Sequence, residues 1–227
     1  MAGVLDQLEA IRAQAGEIRT TGLDNDTVCN FVSRDPELME AINAATEEFE
    51  VLNREFPELM KLGEVEQVEA IEEHLVNFYA DDTVNPYVSM AARGPWVVTT
   101  KGAVLHDNGG YGMLGFGHLP QPIVDAMTKP QVMANVMTPS FSQLRLSEAL
   151  SREIGQTRES GCPFTHFVAM NSGSESVSVA ARISDVNAKL MTDEGGRHAG
   201  KHVAKMSLAG GFHGRTGRPA AFSDSTG

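Results

Sequence analysis

Ala169-Met-Asn-Ser-Gly-Ser-Glu-Ser-Val-Ser-Val-Ala-Ala-Arg182 leaves an apolar run, passes through small polar residues and enters a helical pattern. The flanks decide how it is read. Upstream, Phe164 to Met170 has the character of a short buried strand. Downstream, Glu175 to Leu190 carries Val179, Ile183, Val186 and Leu190 at spacings of four, three and four, one stripe of a helix. A polar, glycine-bearing loop over 191–200 follows, and His202 to Leu208 alternates weakly as a second strand. Strand, helix, strand at this spacing predicts a βαβ unit with a parallel sheet and a right-handed crossover. The quoted stretch is then its β-to-α turn, at the strand end where such folds bind ligands.

That turn suits an anion. A helix N-terminus leaves backbone N–H groups unpaired and carries partial positive charge. Gly173 allows close approach, and Ser172 and Ser174 add hydroxyls, a donor set suited to a phosphate. Capping of the helix by Ser172 or Ser174 is the plainer use of the same residues. Neither Ser174 nor Ser176 has glycines two residues away on both sides, so a nucleophile elbow is excluded. No G-x-G-x-x-G opens the helix, which favours a monophosphate over a dinucleotide. His198 and His202 stand four apart around Gly200 with no H-E-x-x-H glutamate, and read as a surface pair; no metal site is expected.

Working outward, Ala209-Gly-Gly-Phe-His-Gly-Arg-Thr-Gly217 follows the second expected strand. Phe212 there either stacks on a flat ring or covers a sheet edge. Upstream, Trp96 to Thr100 and Ala103 to Leu105 flank Lys101-Gly102 and predict a hairpin. Residues 108–118 hold five glycines in eleven positions, with Met113, Leu114 and Phe116 expected partly buried. Helices are expected from Pro122 to Met127 and from Ser142 to Ile154.

Charge divides the chain. Residues 1–85 hold 20 acidic and 5 basic side chains; residues 86–227 hold 10 and 13. The acidic part argues against nucleic acid, since phosphate contacts need Lys and Arg. Its helical spacing predicts one helix over Val4–Ala15, one from Asp35-Pro36 with Leu38, Ile42, Ala45, Phe49 and Leu52 on one face, and one from Glu64 to Phe78. Charge runs of this kind usually mark a solvated face whose apolar side packs on the main domain. The expected organisation is an acidic helical segment (1–85), a hairpin and glycine-rich loop of a small domain (86–135), and the start of a large ligand-binding domain (136–227). Two cysteines imply no disulfide framework and suit a reducing compartment, with cytoplasm as the default. No apolar run is long enough to span a bilayer.

Taken together, Ser172-Gly173-Ser174-Glu175 after a strand, Ala180-Ala181-Arg182 on the next helix and Phe212-His213-Gly214-Arg215-Thr216 resemble the class III aminotransferases. Gly102 to His118, with Asp107 and Gly117-His118, then Pro120 and Ile123 to Ala126, is similar to that family's N-terminal segment. The resemblance covers roughly residues 93–227. It implies an α/β chain of the pyridoxal-phosphate fold type I, aspartate-aminotransferase-like, preceded by the acidic segment. It implies pyridoxal 5'-phosphate as cofactor, with Ser172, Gly173 and Ser174 at its phosphate, Phe212 on its ring and His213 beside it. The implied activity is amino-group transfer between a small amine or amino acid and a 2-oxo acid, in a homodimer. None of the chain's six lysines stands in the motif context of the Schiff-base lysine, and Asp224 is too near Phe212 to pair with the pyridinium. The resemblance therefore implies an N-terminal part with no catalytic residue of its own, inactive alone. A non-catalytic remnant of the cofactor site, a protein-interaction module using the acidic helices, and another fold type I enzyme such as an aminomutase are the alternatives.

Overall fold

A computed structural model describes residues 2–13, 16–76, 87–108, 115–130 and 137–224. The chain forms two compact units, Met1–Gln131 and Val132–Gly227.

The first unit is built on α3 (Pro36–Glu55). Asp35 is extended and accepts the Glu37 N–H (3.0 Å), while Pro36 takes the first helical position, where a missing N–H costs nothing. Leu38, Ala41, Ile42, Ala45 and Phe49 form its buried stripe. Around it lie α1 (Ala2–Arg12), α2 (Asn25–Val32), α4 (Pro57–Lys61) and α5 (Glu64–Glu72). Val4, Leu8 and Ile11 of α1 and Val28 of α2 complete the helical side of the core. Each such side chain contributes ~1.5–3 kcal/mol on leaving water.

The other side is a three-stranded antiparallel sheet in the order β1 (Ser89–Arg93), β2 (Trp96–Thr99), β3 (Val104–His106). β2 pairs Trp96 with His106 and Val98 with Val104, so the expected hairpin forms. Its turn is held by the Lys101 and Ala103 N–H groups donating to Thr99 Oγ1, with Gly102 at φ +69°. β2 is buried on both faces, and Trp96 is 1% exposed. Its indole N–H donates to Asp35 Oδ2 (2.8 Å), which ties the sheet to the cap of α3. Lys101 is also buried. Its ammonium donates to the Leu62 and Met60 carbonyls, and burial pushes its pKa below the usual lysine value against the pull of Glu64 and Glu66.

Residue 85 therefore marks a step in charge but not a division of the fold. The acidic helices and the hairpin share one core, because the apolar stripe of α3 has the sheet as its partner surface. The stretch around residue 85 and the glycine-rich 109–114 lie outside the described residues; the helices expected over Val4–Ala15 and Glu64–Phe78 end earlier, at Arg12 and at Glu72. Phe116 is exposed rather than part-buried. After it, Gly94 and His118 exchange both backbone hydrogen bonds (2.9 and 2.7 Å), and α6 spans Gln121–Met127.

The second unit holds α7 (Phe141–Gly155), α8 (Gly173–Thr192) and α9 (Gly217–Ala220). Ser140 and Gln143 form a reciprocal capping box at the start of α7. The two expected strands are not formed: 164–170 and 201–208 carry no ladder, and no residue of 137–224 is in a strand. The βαβ reading is corrected to a helix between two irregular segments. A β-rich composition supplies propensity, but a strand exists only through a neighbour's N–H and C=O groups, and no partner strand lies among the described residues. Met206 and Leu208 are 93% and 83% exposed, and Ile183, Val186 and Leu190 of the α8 stripe are exposed as well. Among the described residues, no helix is long and apolar enough to cross a membrane.

Candidate functional site

Ser172 is the N-cap of α8, extended at φ −147°, ψ 159°. Its Oγ accepts the Glu175 N–H (3.2 Å) and its carbonyl accepts the Ser176 N–H (3.1 Å). Glu175 reaches back so that Oε2 accepts the Asn171 N–H (2.9 Å), placing a carboxylate against the positive end of the helix. The capping use of serine is thus realised, and by Ser172. The next two amides, those of Gly173 and Ser174, make no hydrogen bond among the described residues. Nothing lies within 4 Å of where a Gly173 side chain would begin, so the turn is open.

Phe212 to Gly217 comes back to this turn through Gly214. At φ +116°, Gly214 is buried, and a Cβ there would stand 2.2 Å from Ser174 Oγ and 3.1 Å from Ser174 Cβ. Motifs forty residues apart in sequence therefore meet backbone to side chain. The loop is tied to itself: His213 N–H donates to Ser223 Oγ (2.9 Å), and Gly210 N–H donates to Asp224 Oδ2 (2.7 Å). Asp224 thus serves the loop backbone. Phe212 is 55% exposed, with the Arg215 guanidinium 5.9 Å from its ring centre, a cation–π distance. His213 is exposed beside it, and a Cβ on Gly211 would meet its Nε2 at 3.3 Å.

Sequence reading missed the clamp that carries this loop. Asp185, three turns along α8, accepts Lys205 Nζ (2.6 Å) and the Arg218 guanidinium. One carboxylate thereby docks both the 201–208 segment and α9 on α8, where α9 places Pro219 beside Gly214. A lone Asp on a helical stripe carries no signal of that kind. The hydrogen bonds from Lys205 and Arg218 hold the Asp185 carboxyl below its ordinary value of 3.8. The sign follows: with the folded value depressed, the stabilisation is present at neutral pH and is lost as pH falls below 3.8 through the folded value. Acidification in that window is expected to release α9. Amide shifts of residues 205 and 217–220 report it, and Asp185→Asn removes the titration along with much of the docking.

Of the remaining lysines, Lys189 pairs with Asp193 (2.7 Å) and Lys101 is held by carbonyls in the first unit. Asp107 and His118, both part of the resemblance, meet through Oδ2 and Nε2 at 3.0 Å, with Gly117 at φ +74°.

The donor set at the turn fits a phosphate. Two amides point out of the first turn of a helix, the Ser172 and Ser174 hydroxyls flank them, and Gly173 leaves the approach clear. Comparison with family models, with curated proteins and with solved structures finds no match for this chain.

Proposed function

We propose that Ser172, Gly173 and Ser174 bind the phosphate of pyridoxal 5'-phosphate, with Phe212 on its ring and His213 beside it. On this reading the chain contributes the cofactor-binding segment of a class III-type aminotransferase of fold type I. The observation that supports the reading is the contact between Gly214 and Ser174, which brings the two motifs together. The chain's own residues bind and orient: the α8 amides and serine hydroxyls take the phosphate, and Phe212, whose ring centre lies 5.9 Å from the Arg215 guanidinium, offers a flat apolar ring. Bound pyridoxal phosphate supplies an electron sink through which an amino group passes between an amine and a 2-oxo acid. No lysine is assigned a catalytic role. A homodimer and a cytoplasmic location belong to the same proposal; the free thiols Cys29 and Cys162 support a reducing compartment.

A second reading, a protein-interaction module, is favoured by one observation. Among the described residues of 137–224, Gly214 and Pro219 alone are buried, and many apolar side chains of that unit, Phe141, Ile183, Leu190 and Leu208 among them, are exposed.

Amide NMR titration tests the first reading with two probes, inorganic phosphate and pyridoxal 5'-phosphate. Both are expected to shift the Gly173 and Ser174 amides to saturation. Ser174→Ala weakens both probes. Phe212→Ala weakens pyridoxal phosphate about tenfold or more, ~1.4 kcal/mol, and leaves inorganic phosphate unchanged, since stacking acts on the ring alone. No saturable shift at these two amides sinks the assignment.

A further inference from the structure

A cavity of about 500 Å³ opens in the first unit between α3, α4, α5 and β1, remote in sequence from the serine turn. Its walls are apolar: Leu52 and Phe56 from the end of α3, Met60 from α4, Ile71 from α5 and Met90 from β1. Its volume lies within the ~300–1,000 Å³ common for small-molecule sites. Of the polar side chains that line it, Glu48 is half-buried and Ser89 is exposed, while Gln67 (1% exposed) and Thr100 (4% exposed) are almost wholly buried.

Those two groups keep unused hydrogen-bonding capacity. Thr100 Oγ1 donates to Gln67 Oε1 (2.7 Å), and Gln67 Nε2 donates to the Leu59 carbonyl (3.0 Å). A carboxamide has two N–H donors and two acceptor sites on its oxygen, and a hydroxyl accepts as well as donates. Among the described residues, one N–H of Gln67, one acceptor site of its oxygen and the acceptor side of Thr100 are therefore left over. Buried polar capacity is costly to leave unmet in apolar surroundings. A group that both donates and accepts would satisfy it.

Charge narrows the class further. The charged side chain on the lining is Glu48, half-buried one helical turn before Leu52. Eight of the twelve lining residues belong to the part of the chain that holds 20 acidic and 5 basic residues. An anionic head meets repulsion from both. A cationic head is disfavoured by the buried Lys101 ammonium, which donates to the carbonyl of the lining residue Met60 (3.4 Å).

We infer that this cavity is a binding site for a small neutral amphiphile: an aliphatic body among Leu52, Met60, Ile71 and Met90, with an alcohol or primary amide head on Gln67 and Thr100. Selection against carboxylates comes from Glu48.

The test uses the full chain labelled with ¹³C at methionine methyls, titrated with 1-hexanol and with hexanoate. Hexanol is expected to shift the Met60 and Met90 methyls saturably, and hexanoate to bind at least about tenfold more weakly. Glu48→Gln narrows that gap. Gln67 also holds Leu59 and Thr100, so the blocking variant is Ala70→Phe, at an exposed lining position of α5. It is expected to weaken hexanol at least about tenfold with Trp96 fluorescence and the unfolding curve unchanged. Absence of a saturable shift at both methyls, equal binding of hexanoate and hexanol, or hexanol binding untouched by Ala70→Phe each overturns the inference.

Discussion

Trp96→Ala is expected to remove a large fraction of the stability of the first unit. The indole is buried against Phe31 (ring centres 5.1 Å apart) and meets the His106 ring edge-on at 4.9 Å. It also belongs to the core cluster that joins the sheet to α1, α2 and α3. Truncation of a buried aromatic side chain costs ~3–5 kcal/mol, and a whole domain is stable by only ~5–15 kcal/mol. The indole N–H is lost as well, so Asp35 Oδ2, beside the cap of α3, loses its donor. Trp96→Phe separates the two effects. It keeps most of the ring packing and loses the hydrogen bond and some volume, for about 1–3 kcal/mol. Urea unfolding followed by far-UV circular dichroism measures both, since the chain's single tryptophan, and with it the fluorescence probe, disappears. A loss below ~1 kcal/mol for Trp96→Ala would contradict the placement of the ring in the core.

Gly214→Ala is expected to take apart the candidate site while leaving the first unit untouched. Two costs coincide. The backbone is at φ +116°, which L-residues rarely adopt, and the new methyl stands 2.2 Å from Ser174 Oγ and 3.1 Å from Pro219 Cβ. Ser174 sits in the first turn of α8: its Oγ can rotate away, but its Cβ, 3.1 Å from the new methyl, moves only with the helix, and with the dihedral cost the 212–215 loop is displaced. Phosphate and pyridoxal phosphate are expected to bind at least about tenfold more weakly. The His213 amide, bonded to Ser223 Oγ, is the local structural reporter and should shift. Adding Ser174→Gly removes the steric cost but not the dihedral cost, so the amide should move part of the way back. An unchanged His213 shift in Gly214→Ala would mean that the loop and the turn do not touch in solution.

The two units differ in how much of them was legible. The start of α3 and most of its buried stripe could be read, because the cap pair Asp35-Pro36 and the apolar spacing are local features that survive packing. The Trp96–Leu105 hairpin was legible for the same reason, within a residue at its second strand. β1 was not. Ser89-Met-Ala-Ala-Arg93 has little strand propensity and pairs because β2 offers an edge and α3 a surface. Phe164–Met170 and His202–Leu208 fail in the opposite sense, with the composition of strands and no edge to join.

At the site, the role of Ser172 as a cap was readable from spacing, since a cap is set within four residues. The division of labour was not: Ser172 caps, Ser174 packs on Gly214, and Asp185 clamps Lys205 and Arg218. Local chemistry along the chain thus determined α3 and α8 with their caps at Asp35 and Ser172, the positions of α6 and α7, and the hairpin. Tertiary structure alone decided which strands exist, that the acidic helices and the hairpin share one core, and that Gly214 meets Ser174. The reason is physical: a cap or a helical stripe is satisfied within a few residues. A ladder, a core or a forty-residue contact depends on which surfaces remain free to pair once the rest of the chain has packed.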